Sequence, residues 1–495
     1  MKLDQRELKP EFESALKYEF IGETTFMTYQ SPFTIRYASD DMRTLWSERP
    51  LRILWRRIWI AVAEAQTEIG LVTPEQLADL KKHATNIDLD RAREIEGEIG
   101  HDLVSELRTF SEQCPIGGKI LHWGLTSTDV KDNANVIRQR AALALLLRQM
   151  RELLLCFANQ MEASAELPVM GYTHLQTAEP TTLGYRLAGY AQDILIHYEN
   201  LGQIRRTLRG KGIRGSVGTA ATFVDMLADS PIDAAHLETE IMSKLGLQAF
   251  PISNQTYPRI QDYRLMGALA GLAASLHKFA FDLRILQSPG FNTLYEPFGE
   301  KQVGSSAMPF KRNPERAETI CSLARLVIAS VSTIWQNAAY TLLERTLDDS
   351  ANRRSAIPEA FLACDEILQL TTEIVDGLII NENAIQQTLK IHGPFAAIER
   401  ILTALVREGA DRQEMHERLR QHSMRAWESI HAGEPNPLID LLCADTAILK
   451  FLQPSRIRTM LEIDTYIGLA PQKAIDLASQ IRHKFISPEP SEEPE

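Results

Sequence analysis

The segment GSSAMPFKRNP, residues 304–314, gathers two serines, a lysine and an asparagine between Gly304 and Pro314, with Pro309 inside it. Its two prolines and leading glycine keep such a stretch out of a helix, so these polar groups sit on a loop. Hydroxyl, ammonium and amide groups gathered on a loop can move protons and hold anions. Comparable polar clusters recur: GHDL (100–103), GLTSTDVKDN (124–133), GYTHLQTAEPTT (171–182), SNQTYPRI (253–260) and ERTLDDSANRR (344–354). Each alone has a plain structural explanation: Asp102 as a helix cap, Thr126-Ser127 as an N-cap pair, His174 as a surface loop histidine. Together they place acid/base groups, hydroxyls and arginines at breaks where loops converge.

Several other chemistries lack support. RGKGIRG contains GxGxxG at Gly210, Gly212 and Gly215, but IRRTLR before it ends a helix and no strand precedes it. A glycine-rich break fits better than a dinucleotide fingerprint, so no nicotinamide or flavin cofactor is expected. HExxH, Walker A and His/Cys ligand spacings do not occur, so no metal is expected. GxSxG does not occur either, which weakens an esterase reading.

The chain has 495 residues, 44% of them hydrophobic and 24% charged, enough for two or three domains with large cores. A formal charge of −12 argues against nucleic-acid and membrane-surface partners. An anionic ligand would need arginines clustered locally. The five cysteines are odd in number, far apart and free of CxxC pairs, pointing to a reducing compartment. The N-terminal MKLDQRELKPEFES shows no apolar signal region, and LMGALAGLAASL (265–276) is too short to span a bilayer. A soluble cytoplasmic protein is expected.

The elements that must position these clusters are helices. In 51–70, Leu51, Leu54, Trp55, Ile58, Trp59 and Val62 form one stripe, ending at Gly70, and Thr73-Pro74-Glu75 opens the next helix. Residues 136–167 have no internal Gly or Pro and suit a helix of roughly 30 residues, about 45 Å long. Long helices are also predicted over 180–210, 260–288 and 314–347. Alternating β-type runs are almost absent, so the fold class is all-α, around a bundle of very long helices. The Ala- and Gly-rich face of 265–276 allows close helix approach, and so much apolar circumference implies a homo-oligomer sharing a central bundle. Expected boundaries are an N-terminal helical domain (1–112), a central long-helix domain (113–363), a C-terminal helical domain (364–486) and a disordered acidic tail (487–495).

The serine loop resembles the GSSxMPxKxNP signature of the fumarase/aspartase superfamily, whose members cleave C–N or C–O bonds and release fumarate. IRYASDDM, GHDL, GLTSTDVKDN, GYTHLQTAEPTTLG, RGSVGT, NQTY, KQVGSSAMPFKRNP, CSLAR and LERTLDDSANRR follow in order. They narrow the likeness to the adenylosuccinate lyases, in their animal-type branch, closely over about 29–365 and more loosely beyond. The resemblance implies elimination of fumarate from adenylosuccinate and from a succinylcarboxamide imidazole ribotide. It also implies no cofactor, purine nucleotide substrates, and a homotetramer whose active sites draw loops from three subunits.

By the same resemblance Ser305 is the base, with Ser306 as the rival assignment, and His174 is the acid. A serine can act this way if backbone N–H groups and a nearby Lys311 stabilise its alkoxide, in a loop that closes on substrate. The substrate's phosphate and two carboxylates call for Arg36, Lys311, Arg345 and Arg354. Tyr37, His101, Asp102, Thr126, Ser127, Thr173, Gln255, Asn313 and Ser350 complete the expected binding set. Three positions depart from the family pattern. Thr177 stands in place of a common proline, and Gly100 and Thr319 each replace an arginine of the animal-type branch. The alternatives are another superfamily lyase, acting on argininosuccinate or a carboxymuconate, and a structural homologue without catalysis.

Overall fold

A capping box starts the longest helix. Thr126 is the N-cap of α1, Ser127–Ala163, and its backbone N–H donates to Asp129 Oδ2 at 2.8 Å. Alanine, leucine and straight-chain residues then carry α1 without glycine or proline for 37 residues, about 55 Å. It begins nine residues before the predicted start because the polar cluster is the helix's first turn rather than a break. The computed structural model describes residues 29–486, so the acidic tail at 487–495 lies outside the described residues.

Four more rods complete the bundle: α2 Leu183–Thr207, α3 Ile260–Gln287, α4 Glu315–Ala339 and α5 Asp348–Asp376. Thr182 caps α2 by accepting from Tyr185 N at 3.2 Å, and Arg205 and Arg206 complement its last turn. Phe279 of α3 meets Phe157 of α1 and Tyr190 of α2 edge-on, at 5.6 and 5.2 Å between centroids. Small residues set how closely the rods approach. A Cβ on Gly184 would lie 2.5 Å from Met161 O of α1, and one on Gly271 of α3 would lie 3.1 Å from His197 of α2. The close approach expected from 265–276 is therefore present. By length and composition, α4 alone among the described residues could cross a membrane. It buries Ile320, Ala324, Val327 and Ile334 within the fold and leaves Leu326, Ile328 and Trp335 exposed.

The fourth predicted helix, 314–347, ends early at Ala339, and a turn with Leu343 at φ 44° separates it from α5. Strands are few, as expected, yet GYTHLQTAEPTT folds as a hairpin rather than a break. Strand β1 (Pro168–Thr173) pairs antiparallel with β2 (Gln176–Thr182), with a bulge between Met170 and Tyr172. A second ladder joins Leu294–Tyr295 to Ile379–Ile380. The helix at 51–70 spans Glu48–Glu68, and Thr73 begins the next with a full capping box to Gln76. Gly212 and Gly215 adopt φ 89° and 71°, so RGKGIRG is a glycine break between helices.

The chain divides into two units, Met1–Tyr37 and Ala38–Glu495. In the first, described from Tyr29, Ser31 caps a short turn over Pro32–Thr34, and Phe33 and Tyr37 pack 5.8 Å apart. Within the second, the expected boundary at 363/364 falls inside α5. The last helix, Ala470–Ile486, returns to the long rods: Phe485 meets Tyr198 at 4.9 Å, and Arg482 pairs with Glu162 of α1 at 2.7 Å.

The buried Asp129 ties the glycine break to α1. Its carboxylate accepts from Thr126 N, from Arg214 N and Gly215 N at 3.1 Å each, and from Lys211 Nζ, with both charged side chains fully buried. Asp129→Ala strands the Lys211 ammonium and three amides. Urea unfolding should register a loss of about 3–5 kcal/mol. A loss under about 1 kcal/mol, the scale of an exposed pair, would mean the pair does not hold this corner.

Candidate functional site

Gly100 ends the helix Leu89–Ile99 with φ 67°, a left-handed geometry that glycine adopts at no steric cost. The next residue, His101, is thereby free to cap the helix Asp102–Gln113, its Nδ1 accepting from Val104 N at 3.4 Å. Its Nε2 faces Ser127 Oγ of α1 at 3.4 Å. Asp102 takes the Lys131 ammonium on Oδ1 and Arg354 of α5 on Oδ2 at 2.7 Å, while Leu103 N donates to Oδ1 at 2.7 Å. Burial alone would raise this carboxyl, but Lys131 and Arg354 outweigh it and hold Asp102 below the usual carboxylate range.

These groups border a cavity of about 550 Å³. His101, Asp102, Thr126 and Ser127 line one part, and Gln255, Arg345, Ser350 and Arg354 another. Gln255 is fixed through its backbone: its N–H donates to Glu344 O at 3.2 Å and its carbonyl accepts from Thr128 Oγ1. Arg345 pairs with Asp349 at 2.8 Å. Six cationic side chains (Lys131, Arg138, Arg259, Arg345, Arg353, Arg354) line the cavity against three carboxylates (Glu48, Asp102, Asp132). A chain of net charge −12 thus builds a locally positive cleft, the arrangement that an anionic ligand requires.

Of the fifteen expected residues, thirteen belong to the second unit; eight of these meet there, and the other five do not line this cavity within one chain. Thr173 and His174 lie at the exposed tip of the β1–β2 hairpin, where Thr173 pairs with Gln176. His174 and Leu175 have φ 55° and 59°, the left-handed pair of a two-residue hairpin turn, a conformation rare for a leucine. Ser305 lies on the serine loop, its Oγ accepting from Met308 N at 3.1 Å. Asn313 Nδ2 donates to Gly304 O at 2.7 Å and closes the loop on itself, while Lys311 is exposed. A Cβ on Gly304 would strike Lys311 O, so the loop needs glycine there. Arg36 and Tyr37 belong to the first unit, where Arg36 N donates to Pro32 O at 2.8 Å and the Arg36 side chain is exposed.

Lys131 and Asp132 line the cavity without belonging to the expected set, although both stand in GLTSTDVKDN, with Lys131 four residues from Ser127 and so on the same helix face. Arg138, Arg259 and Arg353 also line it, in or at the start of long helices where their spacing looks like that of ordinary solvated charge. The departures now have local settings. Gly100 supplies the turn into His101, Thr177 pairs with Tyr172 in the hairpin, and Thr319 turns its hydroxyl back to Glu315 O at 2.9 Å.

Residues 36–329 match the family model described as lyase, and residues 394–474 match that of the adenylosuccinate lyase C-terminus. The adenylosuccinate lyase of Schistosoma mansoni is 40% identical over 425 residues, covering 85% of this chain and 88% of that protein. That of Saccharomyces cerevisiae is 36% identical over 453 residues, 90% and 93% of the two chains. In fold, the chain is similar to the 3-carboxy-cis,cis-muconate lactonizing enzyme of Pseudomonas putida, with a TM-score of 0.81 over 92% of this chain and 99% of that one, at 22% identity. A fumarate lyase from Mesorhizobium sp. BNC1 gives 0.79 over 91% and 99%, at 23% identity.

Since its folded pKa lies below its unfolded value of about 3.9, Asp102 contributes stability that is complete above about pH 5 and is lost as pH falls through the folded value. Asp102→Asn should therefore flatten the acid limb of a urea-midpoint profile between about pH 5 and pH 3. Parallel profiles for the two proteins would contradict the ion-paired assignment.

Proposed function

The chain belongs to the adenylosuccinate lyase family, and from that premise we propose that it releases fumarate from adenylosuccinate, leaving AMP, and from succinylaminoimidazole carboxamide ribotide in purine nucleotide biosynthesis. The cation-rich cavity carries the reading, because these substrates bring a phosphate and two carboxylates to one protein.

The elimination needs a base to remove a weakly acidic proton beside a carboxylate and an acid to protonate the departing nitrogen. Between the two events negative charge spreads onto the carboxylate, and fixed donors and cations must meet it. Ser305 is the base in this reading. The Met308 N–H already aimed at its oxygen is the kind of donor that stabilises an alkoxide. His174 is the acid, held out on a turn whose backbone fixes its direction. Lys131, Arg345 and Arg354 hold the anionic groups, with Thr126, Ser127, Gln255 and Ser350 donating beside them.

Since neither Ser305 nor His174 lines the cavity of its own chain, the reading includes a homotetramer in which neighbouring copies bring the hairpin tip and the serine loop to each cavity. Exposed Phe281 on α3 and Leu326, Ile328 and Trp335 on α4 supply an apolar face for that assembly. Placement in the cytoplasm belongs to the same proposal and rests on the unpaired, widely spaced cysteines.

Purified protein given adenylosuccinate should release fumarate as absorbance at the succinyl purine falls. Turnover of argininosuccinate alone would replace this substrate with another of the superfamily. Ser305→Ala should lower turnover by at least ~10²-fold without loss of fold. An active Ser305→Ala beside an inactive Ser306→Ala would move the base by one residue. Mixing subunits of Ser305→Ala and His174→Ala should restore activity in roughly a quarter of the sites if each site takes the two residues from different copies. A mixture as inactive as its parents would refute the shared site.

A further inference from the structure

Arg138 lies eleven residues beyond Ser127 on α1, about 16 Å deeper along the helix, at the far wall of the same cavity. Its side chain is only 5% exposed. Nε donates to Leu45 O at 3.2 Å, and the guanidinium lies 4.4 Å from the centroid of the Trp46 ring. Among the described residues no carboxylate pairs with it, in contrast to Arg259, Arg345, Arg353 and Arg354 around the same cavity. Burial pulls its pKa to about 10, so it stays cationic at neutral pH.

The surroundings repeat the pattern. Trp55, 4% exposed, and Trp46 both line the cavity, and both indole N–H groups are buried without a hydrogen-bond partner among the described residues. Buried donors are ordinarily satisfied, and a buried charge is ordinarily paired. The Arg138 guanidinium, held against the Trp46 ring in the cavity wall, is thus a charged donor that no carboxylate meets among the described residues. Gln139, 1% exposed, has its amide nitrogen taken by Asp262 at 3.1 Å, while its Oε1 is buried without a hydrogen-bond partner among the described residues.

We infer that Arg138, braced by Leu45 O and the Trp46 ring, forms an oxyanion subsite at the inner wall of the cavity, taking a phosphate or carboxylate group. The planar guanidinium offers parallel N–H donors to two oxygens of such a group, and the Trp46 face holds it flat. The group is either the end of a bound nucleotide or a separate small anion, and both share this chemistry. The subsite stands on geometry alone and does not require the reaction proposed above.

The test is calorimetric binding of AMP, fumarate and inorganic phosphate to the full chain and to Arg138→Met, with steady-state kinetics alongside. At least one ligand should bind the wild type saturably and lose about tenfold or more in affinity in Arg138→Met, while Arg138→Lys, which keeps the charge, retains most of it. Weakened AMP binding with a raised KM and little change in kcat assigns the subsite to the nucleotide phosphate. Weakened fumarate or inorganic phosphate alone assigns it to a separate anion. Unchanged affinity for all three overturns the inference, as does a fall in kcat with KM and binding intact. If Arg138→Met does not fold, Arg138→Gln serves instead, removing the charge while keeping a polar side chain, and unaltered affinities there overturn it equally. Anion binding that depends on Arg138 in a chain without lyase turnover would keep the subsite and remove the proposed function. Turnover with unaltered Arg138→Met binding would do the reverse.

Discussion

A buried web of charge holds the cavity open. Asp132 of α1 accepts from Arg259 at 3.0 Å, Arg259 also reaches Asp349 of α5 at 2.7 Å, and Arg353 joins Asp262 of α3 at 2.8 Å. Tyr257 closes the web, its hydroxyl donating to Asp262 at 2.6 Å and accepting from Arg353 at 2.8 Å. Three long helices are thus fastened to one another by polar groups at the level where the cavity begins. An apolar layer of equal volume could bind them as firmly, since desolvation consumes much of the attraction within a buried pair. Ions specify instead a single register, because any slip leaves a charge unpaired in a medium that tolerates none.

The same logic explains how an acidic protein keeps cations together. Asp102 holds Lys131 and Arg354, and Asp349 holds Arg345, so mutual repulsion among the positive groups is offset before a ligand arrives. Long side chains kept in place this way lose little further freedom on binding, which favours affinity. Proline also shapes this wall: Pro358 inside α5 has no N–H for the Arg354 carbonyl, which interrupts the helix ladder next to the cavity.

Much of this was legible in the sequence, and the reasons differ from residue to residue. The rods could be read because apolar spacing and the lack of internal Gly and Pro leave few other choices, as in 260–288 against the observed Ile260–Gln287. Thr73 and Thr126 could be read because capping is local chemistry, while the cap expected at Asp102 falls one residue earlier, on His101. Harder to see were properties that depend on distant neighbours. Arg138 and Arg353 are spelled like any surface arginine, and only the packing of α1, α3 and α5 reveals that both are buried. The hairpin at 168–182 was missed because its turn carries His174-Leu175, where a signature of Asn-Gly would have announced it. The expected boundary at 363/364 lies within α5, which runs through it without a break.

That turn has a wider consequence. Two non-glycine residues held at positive φ cost roughly 1–2 kcal/mol apiece, so the hairpin stores tension at its outermost point. The ladder of β1 and β2 overrides it, giving a stiff prong with the imidazole at its end. Natural drift toward an easier turn, such as glycine at 175, would steady the fold while letting the ring swing. Selection at this spot would then act on aim rather than on durability, and a variant judged by thermal tolerance alone would be ranked the wrong way round.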